Sequence, residues 1–139
     1  MLRRRAKYSN KIVRIDGHTF DSVQEAERYG ELKLLVLARE IEALAVHPTY
    51  ALNVNGQYVG SVEFDFSYRQ AGNYVIEDVK GKDWKTGRRV TETELSRFKR
   101  RVFEALYERA VTVVERTGKR DRPSRARSEK EWKKDAKDS

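Results

Sequence analysis

A chain of 139 residues is long enough for one domain with a core of its own but not for two. Thirty lysines and arginines against 22 acids give a net charge of +8 and a pI near 9.8, which favours an anionic partner, most simply nucleic acid. The absence of cysteine excludes disulfides, thiolate nucleophiles and zinc–thiolate sites, and the two isolated histidines, His18 and His47, show no zinc spacing.

Residues 1–10 are rich in arginine and read as a basic arm. No apolar run follows it as a signal peptide would require, and no apolar stretch approaches the length of a membrane span. The expectation is a cytoplasmic protein that does not engage a membrane. The segment KIVRIDGHTF then predicts a hairpin turning at Asp16-Gly17. A first helix begins at Ser22, which with Glu25 forms the S-x-x-E capping pattern, and continues through the stretch ending at Ile41. Its buried stripe is Tyr29, Leu32, Leu35 and Val36; Glu25 falls on that stripe, four residues before Tyr29.

After Ile41 the sequence is β-rich and punctuated by His47-Pro48, Asn55-Gly56 and Ala71-Gly72. It predicts a meander of three strands: TYALNV, QYVGSVEFDFSY and NYVIEDVKG. A polar loop, Gly81 to Val90, follows. A second helix covers about Thr91 to Arg109, with Leu95, Phe98, Val102 and Leu106 on an apolar face and Arg97, Arg100 and Arg101 on a basic one. Ala110 to Glu115 is a last strand with little alternation, which predicts cover on both sides. The folded domain thus spans 11–116, and 117–139 is a charged tail, disordered or helical. The order hairpin, α, β-meander, α, β is an α/β fold with a mixed central sheet flanked by helices.

Two strands carry acids where packed strands prefer apolar residues. Asp65 lies between Phe64 and Phe66, and Asp78 stands two positions before Lys80. Alternate strand residues share a face, so Asp78 and Lys80 point together while Glu77 points away. A bulge would select Glu77 instead; alternation selects Asp78. Asp65, Asp78 and the backbone carbonyl of Val79 make half an oxygen shell for Mg²⁺, with Glu25 as a further ligand or water-holder. Such an ion lowers the pKa of bound water, and Lys80 would orient that water or stabilise the phosphorane oxyanion. Taken singly, Glu25 reads as a capping residue, Asp65 as an edge-strand charge and Asp78–Lys80 as a simple ion pair. Their joint placement carries the functional reading.

This set, Glu25 in S-x-x-EA, Asp65 in EFDF and Asp78-Val79-Lys80, resembles the PD-(D/E)xK nuclease superfamily. With SVQEAERYGELKLL, FDFSY, VIEDVKG and the basic helix behind them, the chain looks like a small phage-borne endonuclease similar to archaeal-type Holliday junction resolvases. Phe64 stands where the proline of the superfamily's name would be. The resemblance implies a restriction-endonuclease-like core and a homodimer that places two symmetric nicks in a four-way DNA junction during recombination. It also implies Mg²⁺ or Mn²⁺ as cofactor and, for a phage-encoded enzyme, the host cytoplasm as location. Lys82, Lys85, Arg88 and Arg89 in the loop, with Lys99 and Arg100 on the second helix, are the expected DNA-backbone contacts. Rival readings are a flap or DNA-end-processing nuclease of the same superfamily and a non-catalytic nucleic-acid-binding module.

Overall fold

The computed structural model describes residues 11–83, 85–89 and 91–117. In chain order the elements are β1 (Val13–Ile15), β2 (His18–Phe20), α1 (Val23–Leu37), β3 (Glu42–Val46), β4 (Thr49–Val54), β5 (Gln57–Glu63), β6 (Phe66–Gln70), β7 (Asn73–Lys82), α2 (Glu94–Tyr107) and β8 (Thr112–Thr117). The basic arm, Trp84 and the tail beyond Thr117 lie outside the described residues, and β8 runs one residue past the expected domain boundary.

Three Xaa-Gly pairs set the hairpins. Asp16-Gly17, Asn55-Gly56 and Ala71-Gly72 all hold positive φ at both positions, the backbone that a two-residue type I′ turn requires. They close β1–β2, β4–β5 and β6–β7 in the registers Ile15↔His18, Val54↔Gln57 and Gln70↔Asn73. The central sheet has the order β3-β6-β7-β8, antiparallel except that β8 runs parallel to β7, with α2 as the crossover between them. The architecture of the described residues is therefore mixed α/β, with a mixed central sheet and two helices.

The three-strand meander needs correction. The stretch QYVGSVEFDFSY is two strands, because Phe64 and Phe66 enter different cores. Phe66 packs with Phe20, Tyr29 and Val79 beneath α1; Phe64 packs with Ile76 and Phe103 beneath α2. An unbroken strand would turn both rings to one face, so the chain must break at Asp65. The facing chain breaks at the same level, at His47-Pro48, where proline withholds an amide from the ladder. The β3–β4 and β5–β6 chains are thus one long hairpin bent at a corner: Val46 pairs with Phe66 on one side, Thr49 with Glu63 on the other. Across the corner, the His47 N–H donates to the Asp65 carbonyl (2.9 Å) and the Phe64 N–H to the Pro48 carbonyl (2.9 Å).

Both helices also differ from expectation in detail. α1 stops at Leu37, because Arg39 turns left-handed (φ 59°) and the amides of Arg39 and Glu40 cap back onto Val36 and Leu35. Ile41 is buried beyond that cap, whereas Val36 is exposed. Of the expected apolar face of α2, Val102 packs against the Phe103 core, while Leu95, Phe98 and Leu106 face outward, with Leu95 62% and Phe98 65% exposed. Phe103 and Arg100 face inward instead. β8 is a half-exposed edge strand rather than one covered on both sides.

Candidate metal centre

The capping of α1 places the first acid. The Ser22 hydroxyl accepts from the Glu25 N–H at 3.2 Å, which fixes Glu25 in the first helical turn. The bend places the second: Asp65 belongs to no strand, and its N–H donates to the Glu77 carbonyl at 3.1 Å. Its Oδ2 accepts from the Val79 N–H at 2.6 Å, at the point where β6 has ended and β7 continues alone on that edge. The N–H and C=O of a strand residue point to one side, so the Val79 carbonyl opens on the same edge. Asp78 supplies the third acid. Its Oδ2 lies 3.2 Å from Lys80 Nζ, which lies 3.4 Å from Ser96 Oγ on α2. Glu25 of α1, Asp65 of the hairpin corner, and Asp78 and Lys80 of β7 are thereby brought together.

The tandem acids are sorted by strand alternation. Glu77, only 1% exposed, turns towards α1 and takes a bidentate pair of bonds from Arg28, both 2.8 Å, with a third from the Tyr68 hydroxyl. Tyr68 is thus a packing residue. Arg28 also bonds Glu31, which Arg116 of β8 grips with two bonds of 2.8 Å. Glu77 is the hub of a network joining α1 to the sheet, and Asp78 is the acid left for the site.

His47 is the residue that sequence spacing missed. At the hairpin corner it adopts a left-handed backbone (φ 56°), and its ring packs on Phe20 at 5.7 Å between centroids. Its Nε2 stands 3.9 Å from a Glu25 oxygen, and one ligand atom each from Glu25, His47 and Asp65 fall within 4.8 Å of one another. The one available signal was His47-Pro48 as a strand break opposite a buried aspartate; isolated in sequence, the imidazole is adjacent in space.

The acids crowd one another. Burial, then the charges of Glu25 and Asp78, push the Asp65 carboxyl up to about 9. Burial and the charges of Asp21 and Asp78 push Glu25 up to about 7. Carboxyls crowded in this way, with mixed carboxylate, carbonyl and imidazole donors, fit a divalent cation. A pH dependence follows. Both carboxyls hold their proton more tightly in the folded chain than at their ordinary values of 3.8 and 4.5. Their contribution is therefore complete below about pH 4 and is lost as pH rises towards 9. Glu31, held down to about 2 by Arg116 and Arg28, is already ionised across that window. Thermal melts of the chelator-treated protein should fall steadily from pH 5 to 9, and Asp65→Asn should flatten the decline.

The basic residues divide. Arg100 is not a surface contact: it is buried, bonded to Glu92 and near Glu104, so the expectation that it meets DNA is corrected. Arg89 is held by Glu115 (2.7 Å) and Glu92 (3.0 Å), and Lys82 lies 3.4 Å from Glu115. These two cations stiffen the loop against β8 and keep only part of their surface open. Lys85 and Arg88 are exposed on a turn that Asp83 organises through the Lys85 amide and the Thr86 hydroxyl. Lys99 is half-buried one turn after Ser96, on the face of α2 that meets Lys80.

Among the described residues no helix is long and apolar enough to cross a membrane. A surface hollow lined by Val36, Arg39, Ile41 and Arg69 lies at the opposite end of the sheet from the acids. Comparison with curated proteins and with solved structures gives no match. A family model described as "Protein of unknown function (DUF1064)" matches residues 5–121, most of the chain, and the protein belongs to that family.

Proposed function

We propose that this protein is a metal-dependent, structure-selective endodeoxyribonuclease with a restriction-endonuclease-like core, acting as a homodimer that nicks four-way DNA junctions in pairs. The observation that carries the reading is the convergence of Glu25, Asp65, Asp78 and Lys80 on one sheet edge, with two of the carboxyls held far above their ordinary range. Glu25, Asp65, Asp78 and the Val79 carbonyl would hold Mg²⁺ or Mn²⁺. Such an ion, when bound, supplies charge to a scissile phosphate and acidifies water. Lys80 keeps its ammonium at the site through Asp78 and Ser96, poised to orient the attacking water or meet charge developing on phosphate oxygen. The Asp65 side chain is held at the site by the Val79 amide. Lys82, Lys85, Arg88, Arg89 and Lys99 are the cations that would meet the DNA backbone, Lys82 and Arg89 while also bound to acids.

A junction has two-fold symmetry, and two incisions related by that axis need two copies of the site. The outward stripe Leu95, Phe98 and Leu106 on α2 is the apolar face we assign to the second copy. Light scattering should give twice the chain mass, and Phe98→Glu should halve it while leaving the fold intact by circular dichroism. The function itself is tested on labelled four-way junction, flap, duplex and single-stranded DNA with and without Mg²⁺ or Mn²⁺. Paired, metal-dependent cuts confined to the junction are the expected result. Preference for flaps or ends would reassign the substrate, and binding without any cleavage would reduce the protein to a nucleic-acid-binding module.

A further inference from the structure

We propose that His47 is a nitrogen ligand of the site's cation and that it makes the site select Mn²⁺ over Mg²⁺. The inference rests on the metal-dependent reading above and adds the identity of the ion. At 3.9 Å, His47 Nε2 is too far from the Glu25 carboxylate for a hydrogen bond. Two groups sharing one six-coordinate ion with bonds of about 2.1 Å stand ~3 Å apart when adjacent and ~4.2 Å apart when opposite. The Glu25–His47 separation of 3.9 Å falls inside that range, and the ligand atoms of Glu25, His47 and Asp65 all lie within 4.8 Å of one another. The imidazole is already anchored where a ligand would stand. Its ring rests on buried Phe20, and its backbone amide is tied to the Asp65 carbonyl. It comes from a different element than either acid, so the donors surround a point rather than line a strand.

Mg²⁺ binds oxygen and keeps most of its water, whereas first-row transition ions accept imidazole readily. A site of two or three carboxylates and one imidazole therefore gains more from Mn²⁺ than an all-oxygen site would. His47→Gln replaces the nitrogen ligand with an amide, and His47→Ala removes the donor altogether.

The test uses the 139-residue chain stripped with chelator, titrated with Mn²⁺ and Mg²⁺ in a calorimeter, and examined with Mn²⁺ bound by pulsed electron paramagnetic resonance. Wild type should show ¹⁴N coupling from an imidazole. Removing even an indirect partner of a metal ligand costs about 10–100-fold in affinity, so both His47 variants should weaken Mn²⁺ at least about tenfold. Mg²⁺ binding should barely change, and the nitrogen coupling should vanish. Equal weakening of both ions, or wild-type Mn²⁺ without nitrogen coupling, would overturn the inference. In that event, loss of Mn²⁺ binding in Asp65→Asn would leave the metal-dependent reading standing. If neither ion binds wild type, that reading falls and the inference with it.

Discussion

Asp78→Asn should cut metal-dependent junction cleavage by at least roughly 10²–10³-fold, the scale of losing a preorganised electrostatic contact to the transition state. Junction affinity should stay within a few-fold, because binding draws on lysines and arginines whose positions do not depend on Asp78. Asparagine keeps the size of the side chain and removes one charge from a crowded group. The same substitution should therefore flatten the fall in stability of the chelated protein between pH 5 and 9, since it relieves the like-charge pressure on Asp65 and Glu25. Lost cleavage together with a flattened pH profile marks an acid that crowds Asp65 and Glu25 within one site; an acid apart from them would leave that profile unchanged. Cleavage rates and denaturant melts of the same preparation decide between them.

Arg28→Ala should destabilise the fold by roughly 3–5 kcal/mol, the cost of stripping one partner from a buried ion pair. Glu77 would be left with the Tyr68 hydroxyl as its remaining side-chain donor and almost no access to water. Glu31 and Arg116 would lose a neighbour as well, loosening α1 from β8. The double variant Arg28→Met, Glu77→Gln should recover most of the loss, because it removes both charges and keeps an acceptor for Tyr68. Urea denaturation of the three proteins reads this directly; a loss below about 1 kcal/mol for the single variant, the level of an exposed pair, would refute it.

Much of the fold was legible because its signals are local. The three Xaa-Gly turns fix their hairpins within two residues, and the Ser22 cap fixes the start of α1. Alternation separated Asp78 from Glu77, as strand geometry dictates. What escaped depends on contacts distant in sequence. The break at Asp65 follows from Phe64 and Phe66 belonging to different cores, which no stretch of strand-like sequence reveals. His47 joins the acids only because the facing chains bend at one level. The outer face of α2 has the spacing of a buried stripe, and nothing local says which side of an amphipathic helix meets the sheet. Arg100 faces inward because Glu92 and Glu104 receive its charge, a partnership set by the approach to α2 and by its own turn.

The adjacency of Glu77 and Asp78 has a consequence for folding fidelity. If β7 slipped by one residue against β6, every side chain on it would change face. Asp78 would then confront Arg28 with a shorter arm, Glu77 would enter the cation site, and Ile76 would exchange cores with its valine neighbours. A buried ion pair adds little net stability over an apolar pair of similar size, yet it penalises the slipped alignment heavily, since a guanidinium in that wall needs a carboxylate of the right length. Arg28 thus discriminates between two sheets of nearly equal hydrophobic content, and the acid that stays out of the cation site decides which acid reaches it.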